Sequence, residues 1–257
     1  MPARSSGARR LLASLGAAAS LAGADPRAAA PQSPRQANPE RPTFATHAYA
    51  VAPGYAELEQ GLSARGVASL REATSWVVDL KVGVSHNVQA ALSGPLYSRT
   101  PDGWGIGDLG GTLKLRTDFS PRMAAAAVTS VTAPTGSVSE GTGAGRALGA
   151  LTAVLSVDLP HTFHVDANAG PQGIGAGAPQ MFVSVAGARA LGRAGVTLEV
   201  FNFGSGGAGS HNSGVLGAIT LRLAEWAVAD AGGVARIASG TPDEVFVGLT
   251  TNLGRIW

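Results

Sequence analysis

The chain has 257 residues, with 19 basic and 17 acidic side chains, 36 glycines and no cysteine. The absence of cysteine excludes a disulfide framework, a thiolate nucleophile and a cysteine-ligated metal. The formal charge of +2 rests on Arg4, Arg9 and Arg10; without these three, 16 bases face 17 acids, so the cationic footprint that phosphate binding needs is missing and no nucleic-acid partner is expected.

Arg4, Arg9 and Arg10 precede an apolar stretch over residues 11–24 that ends in Ala22-Gly23-Ala24. This pattern predicts a secretory signal peptide over 1–24, cleaved after Ala24. The apolar run is shorter than the roughly 20 residues a membrane-spanning helix takes. Residues 25–44 carry Pro26, Pro31, Pro34, Pro39 and Pro42 and read as a disordered linker. Beyond it no apolar stretch reaches 18 residues, so a chain that crosses a membrane here does so by closing a sheet, because lipid offers no partner to an open strand edge.

Residues 45–257 read as an all-β, closed antiparallel transmembrane barrel of about 12 strands. Trp76, Val78, Leu80, Val82 and Val84 alternate with Val77, Asp79, Lys81 and Gly83, a period of two. The same rhythm places strands near 55–62, 76–84, 88–96, 107–117, 122–132, 145–157, 162–170, 181–190, 195–203, 213–223, 226–236 and 243–253. Tight turns near 85–87, 118–121, 158–161, 191–194 and 224–225 alternate with longer links, the asymmetry of short periplasmic turns and long outer loops. An even strand count puts both ends of the barrel on the short-turn side. Two places are ambiguous: 123–131 is alanine-rich and suits a helix equally well by propensity, and 226–236 alternates too weakly to show which face is out.

A Lys or Arg facing lipid at the bilayer midplane costs about 2–4 kcal/mol, so charged positions mark the inside. On this register Leu80, Leu113, Leu155, Leu198, Ile219 and Val247 are among the lipid-facing residues. The lumen face holds Glu57, Glu59, Asp79, Lys81, Asp108, Lys114, Arg116, Arg146, His164, Asp166, Glu199 and Arg222. Six acids against five bases leave that interior nearly balanced, which argues against strong ion selectivity. Small residues at the lumen positions Gly83, Ala91, Ala150, Ala186 and Gly248 favour an opening. Trp76, Tyr97 and Trp104 fall at outer strand ends and Phe119, Phe163, Trp226 and Trp257 at turn-side ends, as aromatic girdles would.

Motifs with chemical connotations lack their context. Two glycine patterns, Gly105-Ile-Gly107-Asp-Leu-Gly110 and Gly204-Ser-Gly206-Gly-Ala-Gly209, match the dinucleotide fingerprint, but neither is followed by a helical stretch. His161 and His164 are three apart and fall on opposite faces of a strand, poorly placed to share a metal. No zinc-protease or serine-hydrolase elbow motif occurs, and His164 with Asp166 is the sole lumen pair worth naming for catalysis. No cofactor or metal is expected, and no enzyme.

Gly107-Asp108 with Lys114 and Arg116, followed by Pro134-Thr135-Gly136, resembles the outer-membrane transporter family of the MetA pathway of phenol degradation, over roughly 45–257. Alternating acids at Glu57 and Glu59 and the turn-centred segment 82–92 are similar as well. The resemblance implies uptake of small, often aromatic or hydrophobic, molecules through the bacterial outer membrane.

A passive transporter or channel is therefore the first expectation, with outer-membrane lipid, a small-molecule solute, and the barrel-assembly machinery acting through the last strand and Trp257 as partners. Two alternatives stay open. One is a structural or adhesive barrel whose lumen is closed by salt bridges among Lys81, Lys114, Arg116, Asp79 and Asp166. The other is a barrel-borne lipid hydrolase.

Overall fold

Strict alternation forces each strand to present one polar and one apolar face, and a sheet built this way is stable only if it closes with the apolar face toward lipid. The computed structural model describes residues 33–66, 73–209, 211–238 and 243–257, and among them it holds strands and no helix. The expected signal peptide and residues 25–32 lie outside the described residues. The strands are β1 (Tyr55–Arg65), β2 (Ala73–Ser85), β3 (Val88–Arg99), β4 (Trp104–Gly105), β5 (Leu109–Ser120), β6 (Met123–Ala133), β7 (Leu148–Leu159), β8 (Phe163–Gln172), β9 (Gln180–Leu191), β10 (Ala194–Phe203), β11 (Asn212–Ala224), β12 (Ala227–Ala238) and β13 (Glu244–Arg255).

Each long strand pairs antiparallel with its sequence neighbour, and β1 pairs with both β2 and β13, which closes a 12-strand ring. The two-residue β4 stands outside that count and pairs with the outer end of β3. The β3–β5 seam is short, running from Val88↔Leu115 to Ser93↔Gly110. It stops there because Gly94 takes a φ of +155° and Pro95 has no N–H to donate to a ladder.

The outer wall is apolar. Leu198, Ile219 and Val247 are 59%, 62% and 54% exposed, and they share a face with Leu80, Leu113 and Leu155 as the charge argument expects. Trp104, Phe119, Trp226 and Trp257 are exposed at strand ends. Both ambiguous stretches are strands. In β6, neighbours on each side supply ladder partners that outweigh the helical preference of alanine, and Ala124 and Ala126 face inward. In β12, Asp230 and Val234 face inward and settle the register.

The interior corrects one expectation. Residues 33–44, which their prolines mark as a disordered linker, run with residues 45–54 as an ordered segment inside the barrel. A proline-rich stretch cannot form a ladder of its own, but the inner wall supplies side-chain acceptors for its amides. The buried apolar residues follow from this: Ala48 of the segment packs with Ala124, Ala126 and Val154, while Phe182, Phe201, Leu216, Val234 and Phe246 cluster on the opposite wall.

Candidate functional site

Residues 33–54 form a loop that rises from the short-turn end of the lumen and returns to it. Near that end, Ala37 N donates to Glu225 O at 3.0 Å, and Asn252 Nδ2 donates to the carbonyls of Pro34 and Gln36 at 3.2 and 3.4 Å. Higher up, Asn38 N donates to Glu57 Oε2 at 2.7 Å, and the amides of Glu40 and Arg41 donate to Glu59 at 2.6 and 3.2 Å. At the apex both oxygens of Glu199 accept, from Phe44 N at 2.8 Å and Ala45 N at 2.7 Å. The descending limb gives Thr46 N to Asn168, Ala48 N to Ser156 and Val51 N to Gln89, at 3.1, 2.8 and 2.9 Å. Gly54 N then donates to Gly83 O at 2.8 Å as the chain turns into β1.

Two charge clusters fasten this plug. Lys81 Nζ lies 2.6 Å from Glu57 Oε1 and 2.5 Å from Glu59 Oε1, and donates to Asn38 O at 3.1 Å. Lys114 Nζ lies 2.7 Å from Glu40 Oε1 and donates to His47 O at 2.8 Å. Both ammonium groups are buried, and buried charges persist only when paired and hydrogen-bonded as these are. On the other wall Arg41 reaches Asp230 through two hydrogen bonds of 3.3 and 3.2 Å. Its guanidinium lies over Gly61 and Gly248, where a Cβ on either glycine would overlap it.

Small lumen residues therefore do not leave an opening here. Gly83 faces the carbonyls of Val51 and Ala52, and Gly61 and Gly248 make the slot for Arg41. The space that small side chains leave is taken by the plug.

The charged positions named from the sequence divide into groups. Glu57, Glu59, Lys81, Lys114 and Glu199 are buried against the plug. Asp79 lies beside them on the wall of an inner cavity of about 270 Å³, bounded also by Thr43, Val77 and Ser93. His164 sits between Asp158 and Asp166 at 2.7 and 2.9 Å, with Tyr49 Oη on Asp158 at 2.8 Å. Arg116 bridges to Asp118 at 2.7 Å and stacks 4.8 Å from the centre of the Tyr49 ring.

Three positions are corrected. Asp108 accepts from Gly136 N and Ala144 N at 2.9 and 2.7 Å, so its charge braces an outer loop instead of lining a passage. Arg146 is exposed in that loop, ahead of β7, and Arg222 is exposed at the short-turn rim. Alternation assigns a face but not a height, and these charges lie at the strand ends where water reaches either face.

The sequence reading missed Glu40, Arg41, Asp230, Gln89, Ser156, Asn168 and Asn252. One signal was available. A disordered linker has few aromatics, yet Phe44, His47 and Tyr49 fall within ten residues of Glu40 and Arg41.

Above the apex, on the long-loop side, lies a cavity of about 340 Å³ bounded by Phe44, Arg65, Gln180, Phe203, Asn212 and Arg236. Two of its lining residues, Phe44 and Phe203, belong to a group of phenylalanine rings. Phe44 lies 4.6 Å from Phe201, and Phe182 stacks on Phe203 at 4.6 Å, ring centre to ring centre. Glu244 accepts from Arg65 at 3.1 Å and Arg236 at 3.0 Å, so the rim cations are held in ion pairs.

No family profile and no curated protein matches the chain. Solved structures share its fold at low identity. The COG4313 outer membrane channel from Pseudomonas putida F1 superposes with a TM-score of 0.59 at 14% identity, over 80% of this chain and 98% of that one. The KdgM porin in complex with disordered oligogalacturonate gives 0.56 at 6%, over 76% and 98%. The NanC porin gives 0.51 at 7%, over 77% and 100%. The chain thus has the fold of porin-like outer-membrane barrels.

Proposed function

We propose that this chain is a passive transporter of the bacterial outer membrane for small, apolar or aromatic solutes, closed at rest by its own residues 33–54. The observation that carries this reading is the outer cavity. Its volume suits a small ligand, Phe44 and Phe203 give it two aromatic surfaces among polar side chains, and below Phe44 the lumen holds residues 33–54 through hydrogen bonds. Ring stacking on Phe44 and Phe203 favours flat solutes. The resemblance to the MetA-pathway family of phenol degradation points to the same class of solute. The outward apolar belt makes lipid the surrounding medium, and the last strand with the exposed Trp257 is the segment through which the barrel-assembly machinery would act.

Chemistry on a substrate is not part of this reading. Ser156 Oγ donates to Asp166 at 2.5 Å and accepts from Ala48 N, and His164 is held between two aspartates on the inner wall, away from the lipid that a hydrolase would attack.

The buried Lys81 and Lys114 clusters favour a second reading, a structural barrel that never opens. Liposome swelling separates the two. A transporter admits a small aromatic solute faster than a sugar of similar mass, and Phe203→Ala removes that preference. A barrel that admits neither solute, in the wild type and after Arg41→Ala alike, is a structural one.

A further inference from the structure

The inner wall grips the plug chiefly by its main chain. Glu57, Glu59, Glu199, Asn168, Ser156 and Gln89 accept from eight backbone amides spread over residues 38–51, and Lys81, Lys114, Asn168 and Asn252 donate to backbone carbonyls of residues 34–49. These side chains come from β1, β2, β3, β5, β7, β8, β10 and β13 and are themselves 3% exposed or less. Buried polar groups on eight strands, all aimed at the backbone of one segment that folds back on itself, constitute a receptor for polypeptide. Peptide groups are the same in every sequence, so such a wall reads conformation first. Side-chain selectivity is added at Glu40, which meets Lys114 and Gln89, at Arg41 with Asp230, and at Tyr49 with Asp158.

We propose that the lumen is a polypeptide-binding site, that residues 33–53 occupy it as a ligand supplied by the chain itself, and that a free peptide of the same sequence binds there in their place. The ligand class is a peptide that folds back on itself and carries an adjacent acid and base followed by an aromatic residue. Because both limbs of the resident segment leave through the short-turn end, a competing peptide loads from that end. The inference goes beyond transport and does not depend on it.

The test uses full-length refolded protein and a synthetic peptide of residues 33–53 with a fluorophore at its N-terminus, read by anisotropy. A tethered segment competes at an effective concentration of about millimolar. Wild-type protein therefore binds the free peptide weakly, and Arg41→Ala, which weakens the tethered copy, binds the unaltered peptide at least tenfold more tightly. Phe44→Ala is run in parallel as a second weakened plug, and heat-modifiable migration on gels confirms that each variant is folded. The peptide N-methylated at Asn38, Ala45 and Ala48 loses at least tenfold in affinity, whereas Gln36→Ala and Ala50→Ser in the peptide change it less than twofold. Two results overturn the proposal: a folded variant that binds no better than wild type, or an N-methylated peptide that binds as well as the unmodified one. Binding by a barrel that carries no current supports the site while counting against the transport reading.

Discussion

Replacing Arg41 by alanine should release the rising limb of the plug. Its partner Asp230 is 2% exposed at the side chain, against 22% for Arg41 itself, so the substitution leaves a carboxylate buried with its counter-charge gone. Removing one member of a buried ion pair costs about 3–5 kcal/mol, and because Arg41 keeps some contact with water the lower end applies. At about 1.4 kcal/mol per decade, a loss near 3 kcal/mol shifts the balance between seated and released plug by roughly a hundredfold. Gly248→Ala reaches the same contact by sterics, since its Cβ would lie 2.6 Å from Asp230 Oδ2 and overlap the Arg41 guanidinium. The two effects should be less than additive, because in the double variant the guanidinium that the methyl group displaces is already gone and only Asp230 has to shift. Open probability in planar bilayers and the rate of trypsin cleavage after Arg35 both report release. If Arg41→Ala and Gly248→Ala each leave current and cleavage within twofold of wild type, the ion pair does not hold the plug and the reasoning is wrong.

Glu199→Ala should free the apex alone. It removes the acceptor of two amides, and a loss of about 2 kcal/mol makes Phe44 and Ala45 exchange hydrogen roughly thirtyfold faster by mass spectrometry, with unchanged rates refuting the assignment. Gly83→Val should push out the descending limb, whose carbonyls at Val51 and Ala52 lie against that glycine; since this contact is on the other limb from Arg41, its effect on open probability should add to that of Arg41→Ala. On the outer wall, Leu198→Lys places a charge on an outward-facing residue that is 59% exposed and should cost about 2–4 kcal/mol, seen as a lower urea midpoint for the barrel folded in liposomes. An unchanged midpoint would mean that this face does not meet lipid.

Much of the barrel was legible because lipid imposes a strict rule on alternate residues. Asp79 and Lys81 between Val78, Leu80 and Val82 suffice to orient β2, and the same reasoning carries through Glu57, Lys114 and Glu199 to the inner wall. Where alternation is weak, as in β12, the register depends on Asp230, and the reason for a buried Asp230 lies in Arg41, 189 positions away. Asp108, Arg146 and Arg222 were misplaced because a face rule carries no information on depth.

The period of two in hydrophobicity determined the fold class, the strand count and the polarity of each wall, since each of these follows from local spacing and the cost of charge in lipid. The tertiary structure alone decided that the lumen holds residues 33–54. Residues 33–54 have no periodicity of their own, and their order comes from acceptors and donors gathered from strands far apart in the chain, whose convergence exists only once the ring has closed.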